Sequence, residues 1–276
     1  MILLALAAVL TCPPGTKQAR QYGKPRCVKV KASVAAPWTL AAPLRTYPAG
    51  AKRVWHNSYP EKPVNTTIER VSAVCKETCI WAGRASTSTI IRDAELTRIA
   101  PAKPGEIDAG IKVGGSKGGV ATAGVLIERV YAHGWQQDAK PGAYANGDGI
   151  VVNRGAIDET VRFARLDDNA DSGIDSKAAL TVLENVSATG NGHYGFRFWG
   201  KATATTLTCI GNAWGCIEAE PGADVTVDRL VMAGGEELVT AKKGATVTIL
   251  SCDLSRWTGK ALVKGKGKVT LGPTCR

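Results

Sequence analysis

Three successive polar stretches contain the side chains best suited to chemistry: NGDGIVVN (146 to 153), LDDNADSGIDSK (166 to 177) and GNGHYGFRFWG (190 to 200). Carboxylates that are brought close together repel one another unless a cation lies among them. Calcium accepts several carboxylate and carbonyl oxygens in irregular geometry, and no His or Cys cluster accompanies these residues to favour zinc. The sequence therefore predicts a calcium site at Asp148, Asp171 and Asp175, with Asp168 as a further ligand or a corner residue.

A repeated structural unit must position these stretches, because apolar residues recur through them at a nearly constant interval. The apolar residue after each turn glycine serves as a marker, and the steps between successive markers are 24, 22, 20, 22 and 23 residues. A second β-rich run in each period, such as LTVLENV (180 to 186), leaves no room for a helix of about ten residues. The leucine-rich-repeat pattern is absent, so we predict an all-β fold, a right-handed parallel β-helix. The markers are Ile150, Ile174, Phe196, Cys216, Leu238 and Ala261.

In this register several polar side chains share columns on neighbouring coils. Asp175 and Arg197 each lie one residue after a marker, so they face outward in one column with Val151. Lys177 and Trp199 share a second column. Since neighbouring strands lie about 4.8 Å apart, the predicted calcium ligands converge across adjacent coils.

Asparagine and aspartate also occupy the turns of solenoids for purely structural reasons, because they hydrogen-bond to the backbone and tolerate left-handed dihedral angles. Asn169 and Asn191 each lie four residues before a turn glycine, and we predict that they stack as a ladder. The same explanation applies to any single aspartate of the predicted site.

The organisation along the chain is that of one domain. Residues 1 to 11 are almost wholly apolar and resemble an export signal. Residues 12 to 85 are predicted to form an N-terminal cap and the first coils, and residues 86 to 276 the repeat domain. Residues 101 to 123 and 136 to 147 are rich in Gly, Pro, Lys and Ala and are interpreted as loops.

The net charge limits the classes of partner, and the spacing of the cysteines indicates their role. The net charge of +11 favours an anionic partner, but the aromatic residues do not interleave with the basic ones as nucleic-acid binding would require. The 8 cysteines lack CxxC spacing, which favours disulfides over metal. Local pairs are possible for Cys12 with Cys27, for Cys75 with Cys79, and for Cys209 with Cys216 or Cys252.

The motifs NGDGI, ADSGID and YGFRFWG resemble successive motifs of the polysaccharide lyase family nine pectate lyases, over residues 86 to 260. The resemblance implies calcium ligands at Asp148, Asp171 and Asp175 and a catalytic base at Arg197. Two positions depart from the family pattern: Ser172 replaces an acidic ligand, and Arg197 replaces lysine.

Such a lyase removes the C5 proton of a uronate whose carboxylate has been neutralised, for example by calcium. Arginine is a poor general base, because its guanidinium stays protonated far above neutral pH. Arg197 can instead bind a sugar carboxylate, with Lys177 or His193 accepting the proton. Trp199, His193 and Lys177 are the predicted substrate contacts.

The sequence thus predicts a secreted or periplasmic, calcium-dependent lyase of a polygalacturonate-like polymer. Two alternatives stay open: a non-catalytic β-helix that binds polysaccharide, and an alginate lyase or uronan epimerase on the same fold. An inverting galacturonan hydrolase is not favoured, since it would need neither Arg197 nor calcium. We expect a monomer that neither binds nucleic acid nor inserts stably into a membrane.

Overall fold

The computed structural model describes residues 65–83, 86–102, 108–115, 121–137 and 144–275, and the backbone of four short strands nearer the N-terminus. The described chain is nearly all β-structure, with parallel sheets stacked as a solenoid, as predicted. One short antiparallel hairpin precedes the solenoid and pairs β1 (Thr16–Gln21) with β2 (Lys24–Lys29). Among the residues described, no helix is long and apolar enough to cross a membrane.

One face of the solenoid is a nine-stranded parallel sheet, which we call the short-strand sheet. Each coil contributes one strand of two to five residues to it. In chain order these strands are β4 (Trp55–His56), β6 (Ile80–Ala82), β8 (Ala109–Val113), β10 (Asp148–Val152), β13 (Ile174–Ser176), β16 (Tyr194–Phe198), β18 (Gly215–Ala219), β20 (Glu237–Ala241) and β22 (Ala261–Gly265).

The rest of each coil belongs to a second parallel sheet, the long-strand sheet. Its strands are β3 (Arg45–Thr46), β5 (Thr67–Cys75), β7 (Ile90–Arg98), β9 (Val125–His133), β11 (Asp158–Arg162), β12 (Arg165–Asp167), β14 (Leu180–Glu184), β15 (Val186–Thr189), β17 (Lys201–Ile210), β19 (Asp224–Ala233), β21 (Thr246–Arg256) and β23 (Lys268–Leu271). A 3₁₀ turn, Pro273–Cys275, follows the last strand.

The long-strand sheet bends at one position in each of five successive coils. The residue there has a positive φ of 49° to 54°, the left-handed conformation that L-residues seldom adopt. In the fourth and fifth of these coils the bend divides the strand in two, giving β11 and β12, then β14 and β15. The bend therefore supplies a corner of the solenoid. The five residues are Arg70, Asp93, Arg129, Phe163 and Asn185.

A column of apolar side chains, buried except at Val263 in the last coil, forms the core side of the short-strand sheet. Ile150, Ile174 and Phe196 lie in register on adjacent coils, as predicted, but the markers Cys216, Leu238 and Ala261 were wrong. The column continues instead through Ile217, Val239 and Val263. The markers were counted from the turn glycine. In this coil the glycine, Gly215, lies level with Tyr194 and not with Gly195, so the residue after it falls one position before the core column.

The turn glycines are required because the chains approach closely there. A Cβ atom on Gly149 or Gly173 would lie 2.8 Å or 2.7 Å from the carbonyl oxygen of the next coil. A Cβ on Gly195 would lie 2.9 Å from Cys209 Sγ. In the following coil Cys216 takes this position and forms a disulfide with Cys209.

A buried asparagine ladder runs beside these glycines, as the sequence predicted, and Asn212 extends it. The side chain of Asn169 donates to Asn191 Oδ1 over 2.9 Å, and that of Asn191 donates to Asn212 Oδ1 over 2.8 Å. Each acceptor oxygen also binds a backbone N–H, of Asn169 at 3.1 Å and of Asn191 at 3.0 Å. The ladder thus satisfies the polar groups of a turn that has no access to water.

Three disulfides staple the solenoid: Cys75 with Cys79, Cys209 with Cys216, and Cys252 with Cys275. The predicted pairing of Cys12 with Cys27 and the segment 1 to 11 lie outside the described residues.

The interpretation of residues 101 to 123 as a loop was wrong in part, because strand β8 lies within it. The alternating sequence Ala109-Gly-Ile-Lys-Val113 places Ile111 in the core column. Burial of this side chain favours a strand more than the flanking glycines disfavour it.

The buried carboxyl group of Glu159, on strand β11, predicts a pH-dependent stability. Glu159 is 1% exposed, and Oε2 accepts the Val125 N–H over 3.0 Å while Oε1 has no partner among the described residues. Burial raises the pKa of Glu159 from 4.5 to about 8. Because the folded protein holds this proton more tightly than the unfolded chain, stability is lost as pH rises from about 4.5 to 8.

We therefore expect Glu159→Gln to raise the free energy of unfolding by roughly 3–5 kcal/mol at about pH 9 and to change it little near pH 4. Urea denaturation at the two pH values measures the difference. The exposed neighbour Asp158 provides the control, and Asp158→Asn should leave the pH dependence in place. An equal effect of Glu159→Gln at both pH values would contradict a buried, protonated carboxyl.

Candidate active site

The predicted site residues lie where successive turns enter the short-strand sheet. Gly147, Asp171, His193 and Trp214 follow one another on adjacent coils, joined by backbone hydrogen bonds of 2.9 to 3.0 Å. One residue further along each coil, Asp148 lies level with Ser172 and Tyr194. Because the coils stack, residues about 22 positions apart in the sequence therefore lie next to one another.

Asp171 is the centre of one group of polar contacts in the site. Its Oδ1 lies 2.7 Å from His193 Nδ1, and the Tyr144 hydroxyl contacts its two oxygens at 2.7 and 2.8 Å. Ser172 donates its hydroxyl to the same carboxylate over 3.2 Å. The His193 ring makes this hydrogen bond through Nδ1, and no residue that the structure describes is bonded to its Nε2. An imidazole fixed through Nδ1 with Nε2 available is the arrangement of a general base.

Aromatic rings hold the imidazole of His193 in place. The ring centroid of Tyr144 lies 4.4 Å from that of His193, and the centroid of Trp214 lies 3.9 Å away. Tyr144 is 46% exposed, but its hydroxyl end lies against Asp171. Burial of that hydroxyl and the negative charge of Asp171 raise the pKa of Tyr144, which therefore stays protonated.

Arg197 joins this network from the next outward-facing column. Its Nη1 lies 3.2 Å from the Tyr144 hydroxyl, and its Nε lies 2.9 Å from Glu220 and 3.1 Å from Glu218. Burial lowers the pKa of Arg197, but the hydrogen bond to Glu220 and the charge of Glu218 outweigh it, so the pKa is raised. This guanidinium stays charged, which suits carboxylate binding and disfavours proton acceptance. We call Tyr144, Asp171, His193 and Arg197 the His193 cluster.

Asp175, Lys177 and Trp199 form the adjoining group. Asp175 lies level with Arg197, as predicted, and accepts hydrogen bonds from Lys177 Nζ and, over 2.9 Å, from Trp199 Nε1. Lys177 Nζ and the Arg197 guanidinium lie 5.6 and 4.9 Å from the centre of the Trp199 ring. The outward column predicted for Lys177 and Trp199 is thus confirmed, since Trp199 N also bonds to Ser176 O.

Asp148 is buried, at 3% exposed, and its Oδ1 accepts the Ser172 N–H over 2.9 Å. Burial first, and then the charges of Asp171 and Asp175, raise its pKa well above the ordinary value. The three carboxylates therefore do influence one another, as their convergence predicts. Asp168 does not join them: it has a φ of 57°, and its charge acts on Arg165, Tyr131 and His133.

Two carboxylates of the predicted calcium site are already engaged by other side chains. Asp171 is engaged by Tyr144, Ser172 and His193, and Asp175 by Lys177 and Trp199. Within the described ranges, no group of three or more His, Cys, Asp or Glu side chains is arranged to hold a metal ion. As they lie, these carboxylates do not fit a calcium site, so we derive no chemical step through the ion.

Three side chains of this region were not predicted from the sequence as part of the site. Tyr144 lies in the segment interpreted as a loop, and nothing in its surroundings marks it. Glu218 lies level with Arg197, and Glu220 lies in the outward column of Trp199. Placing the coil marker at Ile217, and not at Cys216, would have assigned both glutamates to the site.

Comparison with models of protein families, with curated proteins and with solved structures found no match to this chain.

Proposed function

We propose that this solenoid is a secreted lyase that cleaves an acidic, polygalacturonate-like polysaccharide by β-elimination at the His193 cluster. One observation carries the proposal. A histidine held by a carboxylate, a protonated tyrosine and a charged arginine meet at a single point on the outer face of a β-helix. The three disulfides support an oxidising, extracellular compartment.

The three groups meet the three requirements of the elimination. Arg197 binds the uronate carboxylate and offsets the negative charge that develops as the C5 proton leaves. His193 Nε2 accepts that proton, and the released electron pair forms the C4–C5 double bond while the C4–O bond breaks. Tyr144 donates its proton to the departing oxygen, and solvent then returns the proton from His193 to Tyr144. Asp171 fixes the orientation of both His193 and Tyr144.

This assignment changes the roles predicted from the resemblance. The base is His193 and not Arg197, because the two glutamates beside Arg197 raise its pKa. Lys177, paired with Asp175, supplies positive charge beside Arg197 rather than a free amine. The net charge of +11 favours a polyanion as substrate.

We expect the purified protein to form unsaturated uronide from polygalacturonate, alginate or both, followed as a rise in ultraviolet absorbance. Arg197→Ala should abolish this rise, while the exposed Arg229→Ala should not. New reducing ends without absorbance would indicate a hydrolase, and a changed uronate composition of the intact polymer would indicate an epimerase. Binding without any product would favour the non-catalytic alternative.

The calcium requirement stays a prediction, and the same assay tests it with added calcium and with a chelator. Activity that survives chelation would assign the neutralisation of the sugar carboxylate to Arg197 and Lys177. Activity that is lost on chelation and restored by calcium would assign it to the ion. It would also require Tyr144 or Lys177 to leave the carboxylates that they bind in the structure.

A further inference from the structure

Three basic side chains surround Trp199. Together they supply more positive charge than one sugar carboxylate requires. The guanidinium of Arg197 lies 4.9 Å from the ring centre, Lys177 Nζ lies 5.6 Å away, and the guanidinium of Arg154 lies 6.0 Å away. The indole N–H donates to Asp175 over 2.9 Å, which fixes the ring in the outward column. Trp199 is half-buried, so part of the ring faces solvent.

Arg154 differs from the other two in its charge balance. Arg197 is paired with Glu218 and Glu220, and Lys177 is paired with Asp175. Arg154 is exposed, and it forms no ion pair with any residue in the described part of the chain. It follows strand β10, on the coil before Lys177. It therefore brings to the Trp199 ring a positive charge that no described carboxylate pairs with.

Toward the C-terminal end of the His193 cluster, two lysines are each paired with a carboxylate. Toward the C-terminal end, Lys242 pairs with Glu218 over 3.0 Å, and Lys264 pairs with Glu237 over 2.5 Å. Those lysines are compensated by buried carboxylates, whereas Arg154 is not. Arg154 therefore differs from these two lysines in its charge balance, and it also lies against the Trp199 ring.

We infer that Arg154 and Trp199 form a subsite for a second uronate, beside the sugar whose carboxylate binds Arg197. Arg154 binds the carboxylate of this second sugar, and the exposed part of the Trp199 ring packs against the sugar itself. The inference rests on the proposed function and deepens it, because it makes two consecutive uronates the recognised unit. Polymers in which neighbouring carboxylates are esterified would then be poor substrates.

The test compares Arg154→Gln with wild type on polygalacturonate and on the same polymer with about half of its carboxylates methyl-esterified. We expect the KM for polygalacturonate to rise about tenfold, because a charge-assisted hydrogen bond is lost. On the esterified polymer the rise should be less than about twofold. The matched control is Arg229→Gln, which removes an exposed arginine from the long-strand sheet.

An unchanged KM, an equal rise on both polymers, or the same rise in Arg229→Gln would overturn the subsite while leaving the lyase in place. Calorimetric titration with trigalacturonate separates the two proposals if wild type forms no product. Weaker binding by Arg154→Gln than by Arg229→Gln would then support the subsite although the lyase proposal had failed. Equal binding by both variants would overturn the subsite as well.

Discussion

Replacing His193 with glutamine should lower the rate of unsaturated uronide formation by about 100- to 10,000-fold, the range that a general base contributes. Glutamine retains a side-chain amide that can hydrogen-bond to Asp171, so the shape of the site is largely kept. It cannot accept the C5 proton at neutral pH. The loss should therefore fall on kcat more than on KM, measured by the initial rate of absorbance increase.

Chemical rescue sharpens this test. His193→Ala leaves a space between the rings of Tyr144 and Trp214. Imidazole added to the assay should enter that space and restore part of the activity, whereas it should not rescue an Arg197 variant. A merely structural role for His193 would give no rescue.

The control for both variants is His133→Gln. His133 lies on the long-strand sheet, stacked on Tyr131 with ring centroids 4.1 Å apart, and it has no part in the His193 cluster. Its replacement should leave the rate within about twofold of wild type. Wild-type activity in His193→Gln would show that another group removes the proton, and Lys177 would then be the next candidate.

Replacing Asn191 with alanine should destabilise the fold by about 3–5 kcal/mol, because several buried groups lose their partners at once. Its Nδ2 donates to Leu166 O over 3.1 Å and to Asn212 Oδ1 over 2.8 Å. Its Oδ1 accepts the backbone N–H and the side-chain amide of Asn169. Alanine leaves these groups unpaired in a space that is closed to solvent.

Thermal and urea unfolding measure this loss, which corresponds to a fall of roughly 10 °C in Tm for a chain of this size. The matched control is Asn153→Ala, which removes a half-buried asparagine with one hydrogen bond, to Gly114 O at 3.2 Å. It should cost about 1 kcal/mol. A loss of less than about 1 kcal/mol in Asn191→Ala would mean that water or a rearranged turn replaces the ladder.

The ladder also connects stability to chemistry. Asn169 lies two residues before Asp171, and Asn191 lies two residues before His193. Each asparagine fixes the turn that presents the next functional side chain. A weakened ladder should therefore misplace the Asp171–His193 contact as well as lower stability, so Asn191→Ala should lose activity below its unfolding temperature.

The repeat was predictable because solenoid periodicity is a local property. Strands of two to eleven residues, separated by Gly and Asn turns, recur in the sequence at the same interval at which coils stack. The level pairing of Asp175 with Arg197 followed from counting residues, and so did the stacking of Asn169 on Asn191. The count failed from Cys216 onward, because Cys216, which is bonded to Cys209, occupies the position that glycine takes in the preceding coils.

The sequence by itself determined the parallel solenoid, the stretch of coils that carries the site and most of its charged groups. Only the tertiary structure decided what each group does, because hydrogen-bond partners and burial depend on residues far apart in the chain. Tyr144 reaches Asp171 from a segment without periodicity, and Glu220 contacts Arg197 from the next coil. The contact with Glu220 raises the pKa of Arg197, and Asp171 also fixes His193 through Nδ1, which leaves His193 as the group suited to accept a proton.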